Sequence, residues 1–80
     1  MRVRVLAFGR LRELLGAEQT FDLPAGARVR DLLPDLSERF SQLQTLAAST
    51  RIARNGRIGS PDENIQEGDE LALLPPVGGG

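Results

Sequence analysis

Six apolar residues in the middle of the chain, Val29, Leu32, Leu33, Leu36, Phe40 and Leu43, lie at offsets of 3, 4, 7, 11 and 14 from the first. That is the spacing of one helical stripe. Arg30, Asp31, Asp35, Glu38 and Arg39 fall off it. A single amphipathic helix in a chain of 80 residues must bury its stripe against another layer, and a sheet made from the flanking segments is the layer available. Two features oppose a regular helix. No Ser, Thr, Asp or Asn stands at the N-cap near Arg28. Pro34 lies beyond the first turn, where it deletes a hydrogen bond and crowds the carbonyl four residues back. The expectation is a helix with a kink or a loosely wound first turn.

The flanks alternate as strands do. Val3, Val5 and Ala7 share one face, and Arg2, Arg4, Leu6 and Phe8 share the other. Gly9 ends this strand. Arg10 to Leu15 has helical spacing and is closed by Gly16 in a C′ position. Gln19, Phe21 and Leu23 mark a second strand, antiparallel to the first, that ends at Pro24-Ala25-Gly26. Residues 44–50 read equally as fraying helix or loop. Residues 51–54 and 57–58 flank Asn55-Gly56, the signature of a type I′ hairpin. A polar loop follows with Ile65 as its apolar anchor. Gln66-Glu67-Gly68-Asp69 then turns into the last strand, Glu70 to Leu74. The order strand, short helix, strand, long helix, hairpin, strand predicts an α+β chain of the β-grasp (ubiquitin-like) type. Its mixed sheet has one main helix packed on one face. Val3, Val5, Leu71 and Leu73 would face the helix. Leu6, Phe8, Ala72 and Leu74 would share the open face and offer a partner an apolar patch.

Residue types exclude several chemistries. Net charge is -1, so no strong field draws nucleic acid or an anionic membrane. The chain has no Cys and no His, so it lacks a thiol nucleophile and the commonest general base and metal ligand. Tyr and Trp are absent as well, so platforms for base stacking are poorly supplied. No apolar run approaches membrane-spanning length. The chain opens on strand-like residues rather than a signal peptide, and the expected location is the cytoplasm. Asp62-Glu63 and Glu67-Asp69-Glu70 are expected to be solvated turn residues rather than a metal site. Arg10 and Arg12 read as exposed helix positions more readily than as a phosphate site.

The last six residues are Pro75-Pro76-Val77-Gly78-Gly79-Gly80. Two prolines stop the last strand and hold the chain extended. Three glycines then lead to a terminal carboxylate with no side chain near it. A stiff stem with a bare tip has the build of a probe that delivers its carboxyl end into another protein's active site. The expected organisation is a domain over residues 1–74 and an extended tail over 75–80. All ten basic residues are arginine. A codon or genome bias gives such a composition; the sharper reading is that, if Gly80 is activated as an acyl adenylate, a lysine amine would be the nucleophile most able to capture it, and the chain has none.

The ending, Gly68-Asp69-Glu70 ahead of the last strand, and Val5-Leu6-Ala7-Phe8 with Arg12-Glu13-Leu14 together resemble the small-subunit (MoaD) branch of the MoaD/ThiS family of ubiquitin-like sulfur carriers, the branch belonging to molybdopterin synthase. The resemblance spans the chain and is weakest over residues 37–50. It implies that an E1-like adenylating enzyme (MoeB-like) uses ATP to activate Gly80 and that a sulfur donor enzyme converts the adenylate to a thiocarboxylate. It further implies that a MoaE-like large subunit takes in Pro75, Pro76, Val77, Gly78 and Gly79. In that subunit's pocket the thiocarboxylate gives sulfur to cyclic pyranopterin monophosphate to form molybdopterin. The chain would not be an enzyme on its own and would bind no cofactor, ATP being used by its activating partner. The family's partner contacts map to Phe8, Ile58 and Leu74. Strand parity places Phe8 and Leu74 on the open face independently, and Ile58 rests on the resemblance alone. Carriers for thiamin thiazole synthesis or tRNA thiolation share the fold, tail and adenylation. A binding module with an inert tail is the remaining alternative, and it would not depend on Gly79 and Gly80.

Overall fold

The structure is a computed structural model, and it describes residues 1–76. The elements run β1 (Arg2–Ala7), α1 (Gly9–Leu15), β2 (Glu18–Asp22), α2 (Val29–Arg39), β3 (Arg51–Arg54), β4 (Arg57–Ile58) and β5 (Glu70–Leu74). Two short 3-10 helices, Ser41–Thr45 and Ala47–Ser49, join α2 to β3. They resolve the ambiguous stretch as helical turns of the tighter kind. The five strands form one sheet in the order β2-β1-β5-β3-β4. β1 is antiparallel to β2 and parallel to β5. β3 is antiparallel to β5 and to β4. The expected α+β architecture is therefore present, with the first and last strands side by side at the centre.

The core follows from the alternation. Val3, Val5, Ala7, Leu71 and Leu73 are buried on the helix side, with Leu11 and Leu15 of α1 and Val29, Leu32 and Leu36 of α2. The hairpin turn has both central residues at positive φ, Asn55 at 51° and Gly56 at 87°. This is the backbone a type I′ turn requires, and an Asn-Gly pair adopts it at low cost.

α2 departs from the expected stripe at its end. The helix stops at Arg39, and Phe40 is extended with φ -127° and ψ 90°. Phe40 and Leu43 are therefore not on α2. Phe40 leaves to set its ring edge-on to Phe21, at 6.2 Å between centroids and 89° between planes. The 3-10 turn that follows returns Leu43 to the core. The helix spacing of the sequence is satisfied by two different elements.

The missing N-cap is made good from elsewhere. The Asp31 carboxylate accepts the Arg28 backbone N–H at 2.9 Å. The Val29 and Arg30 N–H groups donate to the carbonyls of Glu63 (2.9 Å) and Pro61 (3.0 Å). The long loop after β4 thus supplies acceptors to the orphan donors of the first turn. Pro34 sits within α2, and the helix runs through it from Val29 to Arg39.

That loop is pinned by Asp69. Asp69 was expected to be a solvated turn residue, and here the structure corrects the sequence: it is only 6% exposed. Its carboxylate accepts from Arg54 Nε at 2.6 Å, Asn55 Nδ2 at 3.0 Å and the Gln66 backbone N–H at 2.8 Å. Arg54 also reaches Glu63 at 3.2 Å. The buried carboxylate is tolerated because several donors replace the water it lost. Burial by itself pushes the Asp69 carboxyl up, and the hydrogen bonds from Arg54, Asn55 and Gln66 outweigh it and hold it below the usual range. Glu63 is lowered by the Ser60 N–H and then by Arg54. No cluster among the described residues has the makings of a metal site.

Because both carboxyls bind protons less tightly in the fold than in the unfolded chain, they stabilise fully above about pH 4. That stability is lost as pH falls through their lower folded-state values. Asp69→Asn should lower stability at neutral pH by roughly 1–3 kcal/mol, measured by urea unfolding. Its stability should also fall less between neutrality and acid than that of the parent chain. Parallel pH profiles for the two would show that Asp69 is not the pin.

Candidate docking face and the carboxyl-terminal stem

The open face is assembled by register. Leu6 pairs with Glu18 on one side and with Ala72 on the other, Ala72 pairs with Ala53, and Ala53 pairs with Ile58. Cross-strand partners share a face, so these five residues form one row across all five strands. The row begins with a charge at the β2 edge and is apolar from β1 to β4. Leu74, two residues beyond Ala72, pairs with Arg51. Phe8 is extended, with φ -132° and ψ 159°, and continues the alternation of β1 past its last residue. Phe8 and Leu74 thus extend the patch toward the end of the sheet from which the tail departs.

Among the described residues, the large hydrophobic side chains left exposed are Phe8 at 46% and Ile58 at 55%. Both lie on this face. Leu6, Ala53, Ala72 and Leu74 are half-buried. No described loop covers the patch. An exposed apolar cluster of this kind, beside the start of the tail, is the candidate interaction surface.

The other half of the face is charged. Arg2 meets Asp22 at 3.3 Å, and Arg4 lies between Glu18 at 3.9 Å and Glu70 at 3.4 Å. These exposed pairs add little stability. They keep that half of the sheet solvated and confine the apolar area to the β4 side and the tail end.

The stem is held where it starts. A Cβ placed on Gly9 would come within 3.3 Å of Pro75 Cγ, so Pro75 rests against the turn between β1 and α1. Pro75 and Pro76 line a cleft of about 330 Å³ with Gly9, Arg10, Leu11, Leu46 and Thr50. Pro75 is half-buried and Pro76 is exposed. The remaining predicted tail residues, Val77, Gly78, Gly79 and Gly80, lie outside the described residues.

The register therefore brings Phe8, Ile58 and Leu74 to one face of the sheet, and the Pro75-Pro76 stem follows directly on Leu74 and rests against the start of α1. Ile58, which strand parity alone had not placed, is fixed there by the β3–β4 register. Ala53 belongs to the same row and was not singled out from the sequence. Its position opposite to Ile52 within Arg51–Arg54 was the available signal. Arg10 and Arg12 are exposed on α1, as the plain reading of the sequence expects.

Comparison with known proteins agrees with this geometry. The model of the ThiS family matches residues 5–80. A molybdopterin synthase sulfur carrier subunit from Chlamydomonas reinhardtii is 36% identical over 83 residues, with the whole of both chains covered. The crystal structure of SAMP1 from Haloferax volcanii superposes with a TM-score of 0.85 at 29% identity, again over the whole of both chains. A solved protein–protein complex of subunits 1 and 2 of the molybdopterin-converting factor from Helicobacter pylori contains a similar chain, 25% identical with a TM-score of 0.70 and complete coverage of both. The chain belongs to the ThiS family, alongside the molybdopterin synthase sulfur carrier subunits.

Proposed function

We propose that this chain is the sulfur-carrying small subunit of a two-subunit molybdopterin synthase and that Gly80 is its acyl site. The observation that carries the reading is an exposed apolar patch, Phe8, Ile58 and Leu74, beside the start of a Pro-Pro stem in a ThiS-family domain. A free carboxylate is a poor electrophile. Adenylation by an ATP-using, E1-like partner would turn one of its oxygens into part of a leaving group. Attack by the outer sulfur of a donor enzyme's persulfide at the acyl carbon would then form the C–S bond and expel AMP, and a thiol would reduce the S–S bond to the donor enzyme and release the thiocarboxylate. A large subunit would receive the tail and hold the catalytic pocket, in which cyclic pyranopterin monophosphate takes up the sulfur. The carrier itself needs no bound cofactor and no acid–base pair, which suits a chain without His or Cys. Among the described residues no helix is long and apolar enough to cross a membrane. We place the activity in the cytoplasm, where ATP and thiol donors are supplied.

The glycines serve reach. Residues 75–80 extend at most about 20 Å, and a methyl added at Gly79 would misplace the acyl carbon. A shift of about 1 Å at a reacting centre can cost on the order of a hundredfold in rate.

The test is the intact mass of the chain after incubation with ATP, the host's E1-like enzyme and a sulfur donor. The expected product carries one sulfur in place of one oxygen, mapped to the C-terminal peptide. An unchanged mass with active control enzymes would overturn the carrier reading. In a separate measurement, Phe8→Asp and Ile58→Asp should each retain the melting temperature of the parent, because neither residue is in the core. Each should weaken capture of the large subunit by at least about tenfold, the loss expected for a buried interface anchor. Undiminished capture by both variants would move the docking surface elsewhere.

A further inference from the structure

A carrier with an activated acyl end is exposed to attack by amines, and its own surface is the nearest source of them. In such a side reaction a neutral amine nitrogen attacks the Gly80 acyl carbon and a C–N bond forms. The C–O bond to AMP breaks, AMP leaves with the electron pair, and the ammonium proton passes to water. The product is an amide-linked pair of chains that can no longer deliver sulfur.

The amines of this chain are accounted for. All ten basic residues are arginine, and a guanidinium stays protonated and offers no lone pair. At Arg54 the planar fork is used, bridging Asp69 and Glu63. At Arg10, Arg12, Arg28, Arg51 and Arg57 it is not. These residues are exposed and make no ion pair among the described residues, so a lysine would serve the fold equally well there. The hydroxyls of Ser and Thr need a general base to attack, and the chain has no His.

One amine is left, the α-amine of Met1. Here the group is clamped. The Met1 ammonium donates to the Leu23 carbonyl at 2.6 Å, and the Leu23 N–H donates back to the Met1 carbonyl at 2.7 Å. The Met1 side chain packs against the core, and the residue is half-buried. To attack, the nitrogen would have to give up a proton, which removes the charge that strengthens its contact with Leu23.

We infer that the folded chain is inert toward its own activated acyl end, through arginine-only surface charge and a clamped N-terminal amine, so that Gly80 is captured only by a partner's nucleophile. This rests on Gly80 being the acyl site. The experiment uses the full chain carrying Gly80 as a thioester of 2-mercaptoethanesulfonate, so that no activating enzyme is involved. It is held alone at mildly alkaline pH and followed by intact mass, with added glycine amide showing that the acyl group can be captured. The parent chain should hydrolyse to the free acid without an amide-linked dimer. Arg51→Lys and Arg57→Lys, with unchanged melting temperatures, should each give dimers linked through the new lysine. In urea the parent chain should itself form dimers through Met1. Dimers of the folded parent through Met1, or an absence of dimers in both lysine variants, would overturn the inference. Failure of the carrier reading would show separately, as no adenylation by the E1-like enzyme while the thioester results stand.

Discussion

The parallel pairing of β1 with β5 is the constraint on which the remainder of this structure depends. It joins the two ends of the chain, with Val5 opposite Leu71 and Ala7 opposite Leu73 on the helix side. The same register sets Leu6 opposite Ala72 on the other side. A slip of one residue would send the core residues of a strand to solvent, so burial of Val5, Ala7, Leu71 and Leu73 also fixes the open face. β5 is flanked by β1 and β3, and its last residues therefore leave from the interior of the sheet rather than from an edge. The stem starts from a place that cannot fray without breaking two ladders.

The two faces of the sheet divide the work. One face is closed by α1 and α2 and supplies stability to a chain near the lower size limit for an independent core. The other keeps its charges at the β1–β2 end and its apolar residues beside the stem. The chain's chemistry is correspondingly spare. It contributes geometry and a surface, and the proposed activation and sulfur transfer belong to partners that bring the reactive groups. The proposed inertness of its own surface belongs to the same arrangement, since an activated end would be useful only while nothing nearby could take it.

Much of this was legible in the residues because simple periods dictate it. Alternation in β1 and β5 gave the correct faces for Val3, Val5, Phe8, Leu71 and Leu74. Asn55-Gly56 gave the hairpin, because few residue pairs accept positive φ twice. The parts that escaped depend on contacts distant in sequence. Nothing near Arg39 says that α2 stops there, since the competing attraction is Phe21 on β2. The uncapped start of α2 is served by carbonyls of Pro61 and Glu63, some thirty positions later. Asp69 looks like any turn residue until Arg54 and Asn55 are folded over it. Ile58 stands on a strand of two residues, too short for parity to carry information, and only its pairing with Ala53 assigns its face.

The most direct test of the account is backbone hydrogen exchange on this chain, free and in complex with the large subunit of its host's molybdopterin synthase. The account predicts slowed exchange at Leu6–Phe8, Ala53–Ile58 and Ala72–Leu74, with the exposed surface of α2 unchanged. Protection concentrated on α2, with the open face exchanging as in the free chain, would contradict it.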